Sequence, residues 1–291
     1  MAHVGFIGLG HMGLPMAKRL LKAGHRVIGF DLEPAPLSAL NAVGGGIADS
    51  LHAVVLEQDV VITMLQTGSQ VKAVCCGEAG IFQAMSKGTL FIDCSTIDVE
   101  STRFVHLAAE EAGLLMVEAP VSGGVAGAVD ARLTFMVGGS ETSFQKAEPI
   151  LSCMGKTVVH AGSSGSGVAA KICNNMILGI SMAAVSEAFL LAEKLGLSAK
   201  KLHEISSQAS GNCWVMDTYV PVPDVLPDVP ANRDYQAGFT SAMMLKDLCL
   251  AGDAAEETGV KAGMAASARA LYDEAFETIG DLDFSAIIQF I

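Results

Sequence analysis

The chain has little positive charge and no basic cluster. Its 291 residues include 18 lysines and arginines against 31 aspartates and glutamates, which gives a formal net charge of −13. A surface of that sign repels phosphate backbones and anionic lipid headgroups, so we expect neither nucleic acid nor a membrane surface as a partner. The sequence also lacks a run of 18 or more uncharged apolar residues, and we expect no membrane-spanning segment.

Cysteines spaced for metal binding or redox chemistry are missing as well. The seven cysteines are scattered, none falls in a C-x-x-C pair, and only Cys75 and Cys76 are adjacent. This usage is typical of a reducing compartment, where thiols serve as small core residues. The first ten residues have neither the basic flank nor the small-residue cleavage site of a signal peptide. We therefore expect a cytoplasmic protein without a metal site.

Short apolar strands alternate with helical segments through the first half of the chain. The predicted strands are His3–Gly8, Arg26–Phe30, Val60–Leu65, Thr89–Cys94, Leu114–Glu118, Leu133–Gly138 and Thr157–His160. After Leu195 the pattern becomes helical, over Ala199–Gln208, Phe239–Thr258 and Met264–Ile279. The alternation predicts an α/β domain over residues 1–163, followed by an all-helical domain over 164–291.

The first predicted strand runs into the sequence Gly8-Leu9-Gly10-His11-Met12-Gly13, which fits the pattern G-x-G-x-x-G. A helix follows, and the next strand ends on Asp31, which lies 18 residues beyond Gly13. Glycines at these positions let the backbone approach a pyrophosphate, and the carboxylate binds the ribose hydroxyls of the adenosine. The combination of strand, glycines, helix and carboxylate favours a dinucleotide site over an ordinary glycine turn. Asp31 would repel the 2′-phosphate of NADP, so we expect NAD as the cofactor.

Two further strand ends carry polar residues at the expected cofactor edge of the sheet. One is Leu65-Gln66-Thr67 and the other is Asp93-Cys94-Ser95-Thr96. Ligands of open α/β sheets gather at the carboxyl ends of the strands, so these segments are expected to line the cofactor groove. Ser95-Thr96 is equally well suited to cap a helix over 98–113, and the two roles are compatible.

The segment Glu118–Ala128 is dense in glycine and contains Ser122, Gly123 and Gly124. Free backbone N–H groups around one hydroxyl can hold an anion such as a carboxylate, although such a segment can also be a flexible loop.

A long apolar helix is predicted from about residue 165 to residue 195, with no charge between Ile172 and Ser186. At 1.5 Å per residue it would be roughly 45 Å long, and most of its faces must be buried. Lys171 and Asn175 lie four residues apart near its start, on one face. The lysine either extends to water or to a carboxylate, or acts as an acid/base whose pKa is lowered by burial.

Two residues of the helical half leave their roles open. Trp214, the only tryptophan, begins a segment to Asp234 with four prolines in ten residues, which predicts a long ordered loop. Trp214 itself suits a packing anchor or a substrate contact. Lys246 adjoins Asp247, so a surface ion pair is its default interpretation.

Taken together, four blocks resemble the β-hydroxyacid dehydrogenase family, and the 3-hydroxyisobutyrate branch in particular. They are residues 5–16, Ala119–Gly124, Gly167–Asn175 and Lys246–Leu248, so the resemblance covers nearly the whole chain. It implies a Rossmann domain, a long interdomain helix and an all-helical domain that commonly forms the interface of a homodimer or homotetramer. Two departures stand out: Gln66 replaces a usual proline, and Ala131-Arg132 replaces a usual glycine and small hydroxyl residue.

The resemblance also implies site residues and a reaction. It assigns Lys171 as the catalytic residue, and Ser122, Gly123, Gly124 and Asn175 to a small 3-hydroxy acid. Trp214 is included among the substrate-binding residues on its own account, as the substrate contact considered above. It assigns NAD to Gly8, Leu9, Gly10, His11, Met12, Gly13, Asp31, Leu65, Gln66, Thr96 and Lys246. The implied reaction is oxidation of 3-hydroxyisobutyrate to methylmalonate semialdehyde, a step of valine catabolism, with Lys171 accepting the hydroxyl proton.

Other functions stay open at this point. A related enzyme could act on serine, 3-hydroxypropionate or glycerate, or could reduce a semialdehyde with NADPH. A dinucleotide-binding regulator without turnover is less compatible with Lys171, Asn175 and Ser122, because a sensor needs no proton-transfer group. A decarboxylating phosphogluconate dehydrogenase would need a basic phosphate pocket, which the sequence does not suggest.

Overall fold

The structure is a computed structural model that describes all residues from Met1 to Ile291. Contacts within the chain divide it into two compact units, Met1–Lys171 and Ile172–Ile291. The division falls inside one continuous helix, and each unit is described separately below.

The first unit contains a nine-stranded sheet and the helices that cover it. Its strands are β1 His3–Ile7, β2 Arg26–Phe30, β3 Gly46–Ile47, β4 Val60–Thr63, β5 Leu90–Asp93, β6 Leu115–Glu118, β7 Val121–Ser122, β8 Leu133–Gly139 and β9 Gly155–Gly162. Its helices are α1 Gly13–Lys22, α2 Pro34–Asn41, α3 Leu51–Val55, α4 Gly68–Cys76, α5 Val99–Glu111, α6 Gly124–Val129 and α7 Glu141–Leu151, with a 3₁₀ turn over Ile81–Gln83.

The strands follow the order β3-β2-β1-β4-β5-β6-β8-β7, with β9 paired to β8. Strands β2 and β3 lie on one side of β1, and β4 lies on its other side. Strands β1 to β6 are all parallel to one another. The carboxyl ends of β1, β2, β4 and β5 therefore meet at one edge, and the order reverses between β1 and β4, where such sheets bind ligands.

Two apolar cores hold this sheet between its helix layers. One contains Phe6, Met16, Leu20 and Phe135, all fully buried, and packs around β1 and the helices α1 and α7. The other apolar core lies on the opposite face of the sheet. Parallel strands covered on both faces are apolar throughout, which is why β4 reads Val-Val-Ile-Thr and is buried at every position.

The sheet is mixed rather than purely parallel. Strand β8 runs antiparallel to β6 and to β7, with Val121 opposite Phe135 and Ser122 opposite Thr134. Between β7 and β8 lies only the six-residue helix α6 and its flanking turns, so the chain doubles back instead of crossing over the sheet. The glycine-dense segment is thus a strand, a turn and a short helix, and the interpretation as a flexible loop is wrong.

Helix α8, Ser166–Lys194, is the longest element and continues into the second unit. It is long and apolar enough to cross a membrane by length and composition, with a mean hydropathy of 1.6 over its most apolar window. Of that window, 44% is buried within the chain, and the core helix of a soluble protein meets the same criteria.

The second unit is helical. Besides the end of α8 it contains α9 Ala199–Ser206, α10 Trp214–Thr218, α11 Ser241–Thr258, α12 Gly263–Glu274 and α13 Phe276–Ile279, with 3₁₀ turns over Pro230–Arg233 and Phe284–Gln289. Its core includes Phe189, Met244, Leu248, Tyr272 and Phe284.

Two predictions for this region need correction. The expected loop over Trp214–Asp234 contains the short helix α10, because all four prolines follow it and leave its backbone N–H groups intact. The expected helix over Met264–Ile279 is divided at Ala275 into α12 and α13.

Candidate active site

Glycines shape the carboxyl end of β1 and the start of α1. Gly8 has a φ of +90°, and a Cβ there would collide with the carbonyl of Met64, while a Cβ on Gly13 would collide with the carbonyl of Gly8. Gly10 has no atom within 4 Å of its Cβ position, so this turn presents bare backbone to the surroundings. No side chain caps α1 and no acidic residue lies in its first turn. A pyrophosphate fits such a turn.

Asp31, at the end of β2, is fixed beside this turn. Its Oδ2 accepts a hydrogen bond from the N–H of Leu9 at 2.6 Å, and its Oδ1 accepts one from the N–H of Glu33 at 2.9 Å. Leu9 itself is fully buried and His11 is exposed, while Met12 is partly buried. The structure therefore brings the sequence-predicted glycines and the carboxylate of Asp31 together at one sheet edge.

A buried carboxylate organises the neighbouring strand ends. Asp93 Oδ1 accepts hydrogen bonds from Thr63 Oγ1 at 2.8 Å, Ser95 Oγ at 2.6 Å and the N–H of Ser95 at 3.1 Å. Ser95 Oγ in turn accepts a bond from the N–H of Leu65 at 2.9 Å. Burial raises the pKa of Asp93, and the bonds from Ser95 and Thr63 oppose that shift. The network ties the segment after β4 to the segment after β5.

This network decides between the two roles considered for Ser95-Thr96. Helix α5 is capped by Asp98, whose Oδ1 accepts from the N–H of Ser101 at 2.6 Å. Ser95 is engaged with Leu65 and Asp93 instead, so the prediction that it caps the helix is wrong. Thr96 is partly buried at this edge and Gln66 is exposed there, its N–H donating to Gln70 Oε1 at 3.0 Å.

Ser122 ends β7, directly before a backbone turn formed by Gly123 and Gly124. Gly123 has a φ of +128° and Gly124 a φ of +61°, values that favour glycine over other residues. Ser122 is partly buried, and Gly123 is exposed. The hydroxyl and the turn are therefore accessible to a ligand from outside.

Lys171 lies in the second turn of α8 and is only 7% exposed. Lysine is seldom buried to this degree, because removing an ammonium group from water is costly. Asn175, one helical turn later on the same face, is 2% exposed. The burial of Lys171 excludes the interpretation in which its side chain extends freely into water, and its catalytic role stays a prediction.

Within the second unit, Asn175 is held by Asp247 of α11. Its Nδ2 donates to Asp247 Oδ2 at 2.5 Å, and its Oδ1 accepts from Asn174 Nδ2 at 3.0 Å. Asp247 is 3% exposed, and its Oδ1 lies 3.4 Å from Lys246 Nζ without hydrogen-bond geometry. Lys246 does pair with the adjacent acid, but the acid is buried, so this is not a surface ion pair.

Trp214 belongs to an aromatic stack. Its ring lies 5.2 Å from that of Tyr219, which in turn lies 5.2 Å from that of Phe284. The Tyr219 hydroxyl donates to the buried Asp283 at 2.9 Å, and burial together with Asp283 raises the pKa of Tyr219 far above its usual value. Trp214 is half exposed, so its outer face is accessible. Its role as a substrate contact stays a prediction.

Sequence reasoning did not predict that three carboxylates in these surroundings are buried and organise their neighbours: Asp93, Asp247 and Asp283. The signal for the first was its position at a strand end among hydroxyl residues. For Asp247 and Asp283 the local sequence gives no comparable signal, because their partners lie 72 and 64 residues away along the chain.

Comparison with known proteins agrees with this architecture. Residues 3–162 match the family model described as the NAD-binding domain of 6-phosphogluconate dehydrogenase. Residues 165–291 match the model described as NAD-binding of NADP-dependent 3-hydroxyisobutyrate dehydrogenase. A probable 3-hydroxyisobutyrate dehydrogenase of Mycobacterium tuberculosis is 48% identical over 99% of this chain and 97% of its own length.

The chain belongs to the β-hydroxyacid dehydrogenase family.

As a β-hydroxyacid dehydrogenase, it is an oxidoreductase that acts on a hydroxyacid, and its N-terminal Rossmann domain binds NAD. Two other relatives bear on the substrate. An NAD-dependent L-serine dehydrogenase of Pseudomonas aeruginosa is 44% identical over 94% of this chain and 91% of its own length. A solved structure described as M. tuberculosis 3-hydroxyisobutyrate dehydrogenase with L-serine has a TM-score of 0.94 and 46% identity, covering 100% of this chain and 99% of its own.

Proposed function

We propose that this β-hydroxyacid dehydrogenase oxidises 3-hydroxyisobutyrate to methylmalonate semialdehyde with NAD, as a step of valine catabolism. The observation that carries the proposal is the buried Lys171, one helical turn from the buried Asn175, at the start of a helix that carries no charge between Ile172 and Ser186. A binding protein gains nothing from an ammonium group in such surroundings, whereas an oxidation of an alcohol needs a group that accepts the hydroxyl proton.

Lys171 takes that proton as the substrate is oxidised, and in the reverse direction its ammonium form polarises the carbonyl. Asn175 hydrogen-bonds the substrate, and its amide is held in one orientation by Asp247 and Asn174. A side chain fixed in this way needs no reordering when the substrate binds, which favours a productive geometry.

Ser122, Gly123 and Gly124 bind the substrate carboxylate. Ser122 supplies a hydroxyl, and the two glycines supply N–H groups on a turn in which Gly123 is exposed and Gly124 is partly buried. Every 3-hydroxy acid carries this carboxylate, so these three residues recognise the class of substrate rather than one member of it.

NAD, when bound, supplies the hydride acceptor. The turn from Gly8 to Gly13 holds its pyrophosphate, with contributions from Leu9, Gly10, His11 and Met12. Asp31 binds the ribose hydroxyls and disfavours NADP by charge repulsion. Leu65, Gln66 and Thr96 complete the groove at the sheet edge, and we assign Lys246 to the cofactor as well.

L-Serine is a second candidate substrate. It shares the carboxylate and the β-hydroxyl group with 3-hydroxyisobutyrate and carries an ammonium group where the latter carries a methyl group. It is favoured by the serine dehydrogenase at 44% identity and by the solved structure at 46% identity that is described with L-serine. The exposed face of Trp214 suits either group, since an indole ring packs on a methyl group and attracts a cation.

The test is NADH formation with separate enantiomers of 3-hydroxyisobutyrate and serine, with 3-hydroxypropionate and glycerate alongside, each with NAD and with NADP. The proposal expects kcat/KM to be highest for 3-hydroxyisobutyrate with NAD. A higher value for L-serine would transfer the assignment to the second candidate. A wild-type preference for NADP would contradict the role given to Asp31. In that case the carboxylate does not set the cofactor preference, and Asp31→Ser should show the same preference as the wild type.

We also propose that the enzyme is a cytoplasmic homodimer or homotetramer without nucleic-acid or membrane partners. The helical unit leaves large apolar side chains such as Ile177, Leu191 and Leu195 exposed, and a second copy would cover them. Light scattering coupled to gel filtration measures the mass of the assembly, and a monomer at micromolar concentration would contradict the proposal.

A further inference from the structure

Glu118, the last residue of β6, is fully buried and accepts hydrogen bonds from the backbone at the start of helix α8. Its Oε1 accepts hydrogen bonds from the N–H of Gly165 at 2.7 Å and from the N–H of Gly167 at 3.0 Å. Its Oε2 pairs with His106 Nε2 of helix α5 at 2.5 Å, and the His106 side chain is 12% exposed. One carboxylate thus joins β6 to the preceding helix α5 and to the start of α8, which lies 47 to 49 residues further along the chain.

The packing around this carboxylate leaves little room for movement. A Cβ on Gly138, in the neighbouring strand β8, would collide with Glu118 Oε1. A Cβ on Gly167 would collide with the carbonyl of Met136. The first turn of α8 therefore lies directly against the sheet, and the following residue, Val168, is fully buried.

Glu118 lies close in sequence to Ser122, and it contacts the start of the helix that carries Lys171. Ser122 follows it by four residues, on the continuation of the same segment. Lys171 follows Gly167 by four residues, one turn further along α8. The carboxylate also places a negative charge at the positive end of the helix dipole, which favours the contact electrostatically.

We propose that Glu118 is a positioning residue that fixes the separation between Ser122 and Lys171. The proposal rests on the function given above to those two residues, and it gives Glu118, which is fully buried, no role in the chemical step itself. His106 holds the carboxylate in the orientation in which Oε1 faces both glycine N–H groups. A displacement of the helix start by about 1 Å can lower the rate of the chemical step on the order of a hundredfold.

Glu118→Ala and Glu118→Gln separate positioning from folding. Glutamine keeps an acceptor for both glycine N–H groups and can donate to His106, whereas alanine removes every bond. We expect Glu118→Ala to lower kcat about tenfold or more, with the Kd for NADH unchanged within about twofold. Glu118→Gln should restore kcat to within about threefold of the wild-type value. Ser140→Ala is the matched control, since it removes the cap of α7 and should lower the Tm without changing kcat.

The measurements are kcat and KM at saturating NAD, NADH binding by fluorescence, and Tm, with whichever hydroxyacid the wild-type enzyme oxidises. The choice of substrate therefore does not affect the result. An unchanged kcat in folded Glu118→Ala, beside an inactive Lys171→Ala, would overturn the positioning role alone. An active Lys171→Ala would instead overturn the proposed function.

His106 provides the test if Glu118→Ala does not fold. His106→Ala leaves the acceptor for the glycine N–H groups in place and removes only the group that orients it, so kcat should fall about threefold or more. His106→Gln, which can still donate to Glu118 Oε2, should recover most of that loss. Equal kcat values for the wild type and both His106 variants would contradict the proposal.

Discussion

Lys171 is only 7% exposed, although a lysine side chain ordinarily carries a charge and lies in water. We expect Lys171→Ala to lower kcat by about 100- to 10,000-fold, the range that a general acid/base contributes. The Kd for NADH, measured by fluorescence titration, should stay within about twofold of the wild-type value. Lys201→Ala, which removes an exposed lysine paired with Glu204, is the matched control and should leave kcat unchanged.

Ala131 offers a test of backbone conformation. Its φ of +55° lies in the left-handed region, where the family usually has glycine. Because a side chain in that region costs about 1 kcal/mol, Ala131→Gly should raise the free energy of unfolding by roughly 0.5–1 kcal/mol. Urea denaturation measures the difference. Ala128→Gly, inside the short helix α6, should instead lower it by about 1 kcal/mol, and a loss of stability in both variants would show that the turn tolerates alanine without strain.

The other departure, Arg132, is accommodated at the surface. Its guanidinium pairs with Asp130 at 2.7 Å, and both side chains are exposed. A pair of this kind contributes little to stability because water and salt screen it. The sequence alone left the turn unresolved because the conformation of Ala131 depends on the reversal from α6 into β8.

Strand β5 carries the prediction that depends on pH. Burial raises the pKa of Asp93, so the folded protein binds a proton at a pH where the unfolded chain has released it. The stability that the protonated form contributes is present below the unfolded pKa of about 4 and is lost as the pH rises through the folded pKa. Asp93→Asn cannot lose a proton and should therefore gain stability relative to the wild type between about pH 4 and pH 7.

Urea denaturation of both proteins across that range measures the effect. Asparagine retains the Oδ1 acceptor that receives all three bonds from Thr63 and Ser95, so the comparison isolates the charge. Asp130→Asn, at an exposed carboxylate, is the control and should show no such trend. A difference that shrinks as the pH rises would contradict the inferred direction of the pKa shift.

Regular elements were predicted well wherever local pattern determines them. Strand β2 has the predicted limits, and α8 begins and ends within one residue of its predicted range. The reversal of β8 could not be predicted, because strand direction depends on long-range pairing that an apolar run does not encode. The cap of α5 was misplaced because Ser95, Thr96 and Asp98 are all good capping residues, and only the network around Asp93 decides among them.

Some residues of the candidate site can likewise be predicted from local sequence, and others cannot. Lys171, Asn175, Ser122 and the glycine turn can be proposed as site residues from sequence, because residue type and spacing there are typical of a particular chemistry. Asp247 and Glu118 support those residues across long stretches of chain and have no local signature. A buried carboxylate is identified as a partner only when the fold brings the two side chains together.

The thiols of the whole chain provide a test of its packing. All seven cysteines are free; Cys75 and Cys94 are buried, and burial raises their pKa well above the usual value. Near neutral pH both should stay unmodified by a maleimide in the native protein, while the exposed Cys173 reacts. Mass spectrometry of digests locates the label. In denaturant all seven should react, and labelling of Cys94 in the native protein would contradict the described core.

Helix α8 carries a consequence for how such chains can be recombined. The boundary between the two compact units falls between Lys171 and Ile172, inside the helix. A chimera joined at that boundary would take its lysine from one parent and Asn175 from the other, within a single helical turn. Crossovers at the glycine turns that flank the helix, near Gly165 or Gly196, would instead transfer both residues from one parent. A crossover that keeps the pair together must therefore fall outside residues 171–175, although the boundary between the compact units lies within them.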